Sequence, residues 1–375
     1  MYFDSIFVEL TSVCDMSCEF CPNSTMSRPK KHIDFDLFLN IIDQIVANHL
    51  TKHIKLAALG ESLLYPKLLE AIKYCTEKNL VTSMFTNSLL LTTDLYQKLV
   101  DSGLKGIQIS LQDLTEDSFV YRHAKRKISY SSFYQNVIKL IDYHVSHNIP
   151  IPMVICIMFS KPQWISSELW DLPAIKESTK YVTVLSQMFV DEMNKIAYKN
   201  NVKCYLNKRS FGFSLRALNV FKSRDIKIMD NVFLHMTPLN PELFNTRKKL
   251  DGVLGNKIKL VKRTKGSCPS LAEPMILSNG SFIPCCIDCL GESAMGKVTT
   301  ENSLISIINS EKYQNLIKGF KNHNVINPVC QECKGKLVYK NPFSRLVYLI
   351  TSFNIYTLIA ISIRKWHSLW KLLKK

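Results

Sequence analysis

The sequence lacks the features of an exported chain. Residues 1–10 carry the acidic Asp4 and no basic stretch followed by an apolar run, so they do not predict a secretory signal peptide. A reducing compartment keeps thiols free, and the 12 cysteines therefore do not predict a disulfide framework. Because several of these cysteines lie in tight groups, the sequence favours metal binding in a cytoplasmic protein.

Internal repeats and low-complexity segments are also absent, and the composition is not that of a disordered chain. Hydrophobic residues make up 46% of the sequence and charged residues 21%, which is typical of globular proteins. A chain of 375 residues buries one large core or two smaller ones, so we expect a main domain with an accessory domain.

Acidic residues are scarce in two parts of the chain, whose formal net charge is +17. Residues 194–267 contain 17 lysines and arginines against 4 acidic residues, and residues 336–375 contain 8 basic residues and no acidic one. Such positive regions attract phosphates, anionic lipid or acidic peptide, or they form a solvated surface that only aids solubility. No recognisable nucleic-acid-binding module accompanies the charge, which disfavours nucleic acid as a partner.

Strand-like runs alternate with helix-like runs in the first half of the chain. Strands are predicted at 5–10, 54–59, 82–86, 106–111, 151–159 and 181–187, and helices at 35–49, 66–78, 92–102, 130–146 and 163–179. The alternation predicts an α/β fold whose parallel sheet curves into a partial (β/α)6 TIM-like barrel. In parallel α/β folds the ligand lies beyond the carboxyl ends of the strands, and we expect the site there.

Three cysteines, Cys14, Cys18 and Cys21, lie within eight residues directly after the first predicted strand. Three thiolates on a [4Fe–4S] cluster leave one iron open to a substrate, whereas structural clusters usually take four cysteines. A zinc site is the alternative. Zinc would need a fourth ligand, for which His32 is the nearest candidate.

These cysteines and Phe20 match the pattern Cys-x3-Cys-x-aromatic-Cys, and the sequence resembles the radical S-adenosylmethionine (SAM) superfamily over residues 3–187. The resemblance implies an oxygen-sensitive [4Fe–4S] cluster whose open iron binds the amino and carboxylate groups of SAM. One electron from the cluster then breaks a C–S bond, and the resulting 5′-deoxyadenosyl radical abstracts a substrate hydrogen. A reducing partner such as flavodoxin or ferredoxin would supply the electron.

The same resemblance implies cofactor-binding roles for residues that follow the next predicted strands. They are Phe20, Gly60, Glu61, Asn87, Ser110 and Arg122. Glu61 would hold the methionine amino group, and Arg122 the methionine carboxylate. The sequence departs from the family pattern at Leu59, which stands in place of a glycine, and at Gln112, which stands in place of an acid.

A second set of thiols comprises Cys268, Cys285, Cys330 and Cys333, which suffice for a closed cluster with no open iron. Residues 278–281 predict a hairpin turn that brings Cys285 back beside Cys268, and a helix is predicted at 304–320. A zinc ribbon is the alternative for this set. Spacing alone leaves open whether Cys286 or Cys289 replaces one of the four.

A cysteine, then Gly-x4-Cys, then a distant Cys-x2-Cys resembles the SPASM/Twitch auxiliary domains of many radical SAM enzymes. No cysteine follows Cys333, so the arrangement is similar to the shorter Twitch form with one auxiliary [4Fe–4S] cluster. The predicted organisation is a radical SAM core at 1–190, a basic linker region at 191–266, a small cysteine-rich α+β iron–sulfur domain at 267–335, and a basic apolar helical tail at 336–375.

Residues 346–363 of the tail carry no charge, and Trp366, Leu369, Trp370 and Leu373 then fall on one helical face. Such a helix lies in a membrane interface, packs against protein, or spans the membrane, and the sequence leaves all three open. We expect a cytoplasmic protein that contacts the inner membrane face peripherally.

The sequence therefore predicts a radical SAM oxidoreductase that oxidises a small or lipid-linked, sugar-like substrate by two electrons, with the auxiliary cluster collecting the second electron. A peptide-modifying enzyme is the alternative, and a non-catalytic iron–sulfur protein for electron transfer or sensing is an alternative of another class. No catalytic base is assigned, because the predicted barrel mouth offers several groups, among them Tyr121, His123 and Gln187.

Overall fold

The computed structural model describes residues 1–18, 21–112, 116–122, 128–160, 188–206, 224–239, 258–299 and 301–339. Its strands are β1 (Ile6–Val8), β2 (His53–Leu56), β3 (Val81–Thr86), β4 (Gly106–Gln112), β5 (Met153–Ser160), β6 (Arg224–Met229), β7 (Val232–Leu239), β8 (Ile258–Val261), β9 (Met275–Ile276), β10 (Ser281–Ile283), β11 (Gly296–Lys297) and β12 (Lys336–Tyr339). Its helices are α1 (Phe35–Ala47), α2 (Leu68–Glu77), α3 (Thr93–Asp101), α4 (Glu116–Phe119), α5 (Tyr130–Ser146), α6 (188–199), α7 (Leu304–Asn309), α8 (Glu311–Lys321) and α9 (Pro328–Cys333).

Ten of these strands form one open sheet in the order β11-β10-β9-β1-β2-β3-β4-β5-β7-β6. Neighbouring strands from β9 through β1, β2, β3, β4 and β5 to β7 are parallel. The hairpins β9–β10 and β6–β7 add antiparallel strands at the two ends. The predicted α/β fold with a partial, unclosed barrel is confirmed.

The helices cover one face of the sheet because their apolar residues recur at helical spacing. In α1 the buried side chains are Phe38, Ile41, Ile42 and Ile45. The helices begin where a polar side chain caps the first turn: Asp34 accepts from the Leu37 amide, and Thr92 accepts from the Leu95 amide. These caps explain why the predicted and observed helix starts agree within a residue or two.

The segment expected to be a basic linker, residues 191–266, contributes two strands to the main sheet. The hairpin β6–β7 lies beside β5, with Met153 opposite Val232. Val232 and Leu234 are buried, and Asn231 makes the turn with a φ of 59°, a left-handed conformation that asparagine tolerates. The strand predicted at 181–187 and the helix predicted at 163–179 lie outside the described residues.

The single helix predicted at 304–320 is wrong, because the structure has two helices there, α7 and α8. Ser310 between them has an extended backbone, with φ −60° and ψ 147°. Its side chain accepts a hydrogen bond from the Tyr313 amide and so starts α8. Serine competes for backbone hydrogen bonds in this way, which favours a cap over a helix interior.

Residues 340–375, which include most of the predicted tail, lie outside the described residues. Within the part of the chain that the structure describes, no helix is both long enough and apolar enough to cross a membrane.

A buried histidine joins two of the covering helices. His144 of α5 is 1% exposed, and its Nδ1 lies 2.8 Å from the hydroxyl of Tyr96 in α3. Burial lowers the pKa of His144 from 6.5 to about 4. Between these two values the unfolded chain holds a proton that the folded chain does not, so the free energy of unfolding falls as the pH drops from 6.5 to 4.

We predict that this one group removes about 3 kcal/mol of stability over that pH range. The measurement is the urea midpoint of the anaerobically reconstituted protein at a series of pH values. His144→Gln should flatten the acid-side slope, whereas His147→Gln, at an exposed histidine just beyond α5, should keep the wild-type slope. Equal slopes for both variants would contradict the assignment.

Candidate functional site

The loop that carries the first three cysteines is closed at its base by backbone pairing. The Ile33 amide donates to the Leu10 carbonyl at 2.8 Å, and the Ser12 amide donates to the Lys31 carbonyl at 3.0 Å. Thr11 and His32 form a bridge between these bonds. The loop therefore leaves the carboxyl end of β1 and returns beside it, at the edge where the site was expected. His32 is exposed, and its ring lies 5.8 Å from that of Tyr65.

Cys14, Cys18 and Cys21 are electrostatic neighbours within this loop. The pKa of Cys14 is raised to about 11 and that of Cys21 to about 12, mainly by burial, with a smaller contribution from the charge of Cys18 in both cases. Thiols with such raised pKa values stay protonated until a cation binds them. None of the 12 cysteines, all within the described ranges, forms a disulfide.

Gly60 allows the segment after β2 to lie directly on the cysteine loop. A Cβ atom at Gly60 would lie 2.0 Å from the Thr11 carbonyl oxygen and 2.8 Å from that of Val13. The next amide, that of Glu61, donates to the Val13 carbonyl at 2.9 Å. Only glycine permits this approach, because backbone atoms on both sides cannot give way.

Glu61 brings the second and third strands together at the site. Its carboxylate is buried and accepts hydrogen bonds from the amides of Asn87 at 2.6 Å and Leu63 at 3.1 Å. Burial raises the pKa of Glu61 to about 7. The Asn87 side chain donates to Asp15 at 2.7 Å and lies 3.9 Å from the Cys14 sulfur. Three residues predicted from sequence, Cys14, Glu61 and Asn87, therefore meet.

Asp15 is the member of this group that the sequence analysis missed. It is 8% exposed, and it lies between the cysteine loop and Asn87. The signal available in the sequence was an acidic residue directly after the first cysteine of the motif.

Arg122 and Ser110 lie together at the end of β4. Arg122 is 1% exposed, and its Nη1 donates to the carbonyls of Ser110 at 3.0 Å and Leu111 at 3.1 Å. Its guanidinium carbon lies 5.2 Å from the ring centre of Phe133. The structure thus places Arg122 in the core beneath the strand end. Phe20 lies outside the described residues, as do His123 and Gln187.

The second set of thiols is assembled by the hairpin and by α9. The predicted turn at 278–281 is confirmed: Phe282 pairs with Ile276, and Gly280 has a φ of 86°. Cys285 follows β10, and Cys268 precedes a short 3₁₀ turn at Pro269–Ala272. Asn327 caps α9 and accepts from the Cys330 amide at 3.3 Å, which fixes the position of this cysteine.

These four thiols are also electrostatic neighbours. The pKa values of Cys285 and Cys330 are both raised to about 12, mainly by burial and in smaller part by the charge of Cys268. The charge of Cys333 also contributes to the raised pKa of Cys330. The four cysteines predicted as ligands thus lie close to one another.

The remaining two cysteines of this region differ in their surroundings. Cys286 is also a neighbour of the auxiliary set, because its charge acts on Cys285 and that of Cys268 acts on it. The Cys286 sulfur is 4.0 Å from the Glu273 carboxylate. Burial raises the pKa of Cys289, and the nearest thiolate charge that raises it further is that of Cys21 in the first loop. Cys289 therefore lies on the side of the first cysteine set.

A buried ion pair joins the two cysteine regions. Arg28, on the return of the first loop, lies 2.6 Å from Glu9 at the end of β1. The other oxygen of Glu9 accepts from the amide and hydroxyl of Ser278, at 2.9 and 2.8 Å. Arg28 also donates to the Cys289 carbonyl at 3.4 Å. The first cysteine loop and the auxiliary hairpin are thus held by one carboxylate.

Two family models match the chain. The radical SAM superfamily model matches residues 8–159, and the model of the SPASM iron–sulfur cluster-binding domain matches residues 268–334. The chain therefore contains a radical SAM domain and a SPASM domain. Its cofactors are SAM and [4Fe–4S] clusters, and the C-terminal match is to a cluster-binding domain.

Curated relatives match over part of the chain. They include a tungsten-containing aldehyde ferredoxin oxidoreductase cofactor-modifying protein of Pyrococcus furiosus, 26% identical over 29% of this chain and 31% of its own length. A PqqA peptide cyclase of Bradyrhizobium diazoefficiens is 29% identical over 33% of each chain. An AdoMet-dependent heme synthase of Methanosarcina barkeri is 30% identical over 30% of this chain and 32% of its own length. Each match thus spans about a third of the relative.

Among solved structures, Streptococcus suis SuiB is similar with a TM-score of 0.49 at 17% identity, covering 85% of this chain and 68% of SuiB. BtrN in complex with AdoMet and 2-DOIA has a TM-score of 0.47 at 16% identity, covering 86% of this chain and 89% of BtrN.

The residues present fit these cofactors. A [4Fe–4S] cluster takes one thiolate on each iron, so its ligands must be neighbours without converging on one point. Both cysteine sets meet this condition, with three thiols in the first and four in the second. Within the described ranges, no three His, Cys, Asp or Glu side chains converge on a single metal ion.

We predict that Gly60→Ala will displace the first cysteine loop and abolish binding of its cluster, while the auxiliary set keeps its iron. Iron content after anaerobic reconstitution should fall by about four per chain. Gly106→Ala, in β4, is the matched control, because its added Cβ would meet neighbours no closer than 3.5 Å. Full iron content in Gly60→Ala would show that the close approach is not needed.

Proposed function

We propose that this protein cleaves SAM reductively to methionine and a 5′-deoxyadenosyl radical, which abstracts a hydrogen atom from a substrate. The observation that supports this most is the three-thiol loop at the carboxyl end of β1, with Glu61 and Asn87 beside Cys14. A three-thiol set leaves one iron of a cluster open, and a polar pocket next to it suits an amino acid group.

In this proposal Cys14, Cys18 and Cys21 hold the cluster, which when bound supplies the electron for C–S cleavage. The chain's own groups position SAM. Glu61, fixed by two backbone amides, accepts the amino group, and Gly60 keeps that carboxylate against the loop. Phe20 and Ser110 complete the cofactor pocket.

Arg122 has a more indirect role in this proposal. Because its guanidinium donates to the carbonyls at the end of β4, it fixes the strand end on which Ser110 lies. The Arg122 carbonyl also accepts from the Ser17 amide at 3.2 Å, inside the cysteine loop. Arg122 is then a positioning residue for both the end of β4 and the cysteine loop.

We propose that Cys268, Cys285, Cys330 and Cys333 hold a closed auxiliary cluster. A cluster with four protein ligands has no site for substrate and is suited to electron transfer. The protein would then be an oxidoreductase: hydrogen abstraction removes the first electron from the substrate, and the auxiliary cluster accepts the second while a proton leaves. A reductant such as flavodoxin or ferredoxin supplies the electron that starts each cycle.

For the substrate we propose a small phosphorylated or lipid-linked, sugar-like molecule. Support comes from the positive charge of residues 194–267 and of the tail, which suits an anionic group or a membrane surface. A cytoplasmic location with peripheral membrane contact belongs to the same proposal. Peptide modification is the second candidate, and it is favoured by the PqqA peptide cyclases among the relatives.

The test is anaerobic reconstitution, reduction with dithionite, addition of SAM, and measurement of 5′-deoxyadenosine together with iron. We expect the nucleoside and about eight irons per chain. Cys18→Ala should abolish nucleoside formation and retain about four irons, and Cys330→Ala should reduce the iron of the auxiliary set. Cys204→Ala is the control, since this cysteine belongs to neither set.

Nucleoside formation by Cys18→Ala would refute the assigned cluster site. If the wild-type protein forms the nucleoside but contains only about four irons per chain, the second cysteine set binds zinc or no metal. Iron without nucleoside in the folded, reduced wild-type protein would replace the enzymatic proposal with electron transfer or sensing.

A further inference from the structure

We infer that Asp15 is a second carboxylate ligand for the methionine amino group of SAM, acting beside Glu61. The inference rests on the proposed function, because it concerns the same cofactor pocket. Asp15 lies inside the cysteine motif. The motif does not specify this residue, since only the cysteines and the aromatic position define the pattern.

The first observation is an unsatisfied oxygen. Asp15 is 8% exposed, and its Oδ1 accepts from the Asn87 side chain at 2.7 Å. Its Oδ2 is fully buried and has no hydrogen-bond partner among the described residues. A buried carboxylate oxygen without a donor is costly, so a ligand that supplies a donor to this oxygen would be stabilised.

The second observation is that Asn87 bonds both carboxylates. Its backbone amide donates to Glu61 at 2.6 Å while its side chain donates to Asp15. The two carboxylates are close enough that the charge of Asp15 acts on Glu61. In the part of the chain that the structure describes, neither forms an ion pair with a lysine or arginine. Two neighbouring carboxylates held by one asparagine together favour a ligand that offers more than one hydrogen-bond donor.

The ligand that matches this pair is an amino group. SAM carries two positive groups, a sulfonium and an amino group, but only the amino group donates hydrogen bonds. When its nitrogen also binds an iron, it keeps two N–H donors, and Glu61 and Asp15 supply one acceptor each. Glu61 retains this capacity because each carboxylate oxygen accepts more than one hydrogen bond.

The position next to Cys14 supports this geometry. The Cys14 sulfur lies 4.0 Å from Asp15 Oδ1 and 3.9 Å from the Asn87 side-chain nitrogen. Asp15 is therefore beside one of the thiols that would hold the cluster. The Asn87 side chain holds the same carboxylate oxygen in place.

The experiment is equilibrium dialysis of anaerobically reconstituted full-length protein with three probes: SAM, S-adenosylhomocysteine, and S-adenosylhomocysteine without its amino group. Asp15→Asn should weaken binding of the first two about tenfold or more and leave the third unchanged, because a charge-assisted hydrogen bond to the amino group is lost. Asp94→Asn, at an exposed aspartate paired with Lys98, should leave all three dissociation constants unchanged.

Iron content and the circular dichroism spectrum are measured on the same samples. Unchanged affinity for SAM at full iron content overturns the inference, and so does an equal loss for the probe without an amino group. A loss for SAM but not for S-adenosylhomocysteine would assign the effect to the sulfonium and also overturn it. If the wild-type protein binds no SAM, the proposed function fails and the inference fails with it.

Asp15→Glu keeps the charge and provides a second variant. If Asp15→Asn loses its iron, Asp15→Glu should retain iron and recover part of the SAM affinity. Loss of iron in both variants would show that Asp15 serves the cysteine loop itself and not the amino group.

Discussion

The architecture depends on one buried carboxylate, that of Glu9 at the end of β1. One oxygen pairs with Arg28 on the return of the first cysteine loop, and the other accepts two hydrogen bonds from Ser278 in the auxiliary hairpin. Each oxygen is thus used by a different part of the chain, the first cysteine loop on one side and the auxiliary hairpin on the other. Removing one partner of such a pair typically costs about 3–5 kcal/mol, because the other charge remains buried. The positions of both thiol sets follow from this contact.

The sheet reinforces the same connection. Because β9 pairs in parallel with β1, Phe7 lies opposite both Lys55 of β2 and Met275 of β9. At the other end of β1, Lys55 and Ser5 both bond Glu273, which precedes β9. The auxiliary region is therefore a continuation of the core sheet and shares its hydrogen-bond ladder. The first cysteine loop and the auxiliary hairpin are thus held in a fixed relation by backbone pairing.

Local signals in the sequence explain what could be predicted. Helix α5 begins and ends where expected, since Ser129 caps it and apolar residues recur along one face. Gly60, Glu61 and Asn87 follow strand ends, and the parallel topology brings them together. The hairpin β6–β7 was missed because Arg224 and Lys227 interrupt the apolar alternation of β6, and because the positive charge of the surrounding segment favoured a linker. The partners of Asp15 and Arg122 could not be predicted, because they depend on contacts between residues distant in sequence.

The loop from Cys285 to Cys289 limits the distance between the two thiol sets. Cys285 neighbours Cys268 in the auxiliary set, and Cys289 neighbours Cys21 in the first. Four residue steps span at most about 14 Å even when fully extended. The covalent chain itself thus limits how far apart the two sets can lie, whatever the surrounding side chains do. A change in the length of this loop would therefore alter the separation of the two thiol sets directly.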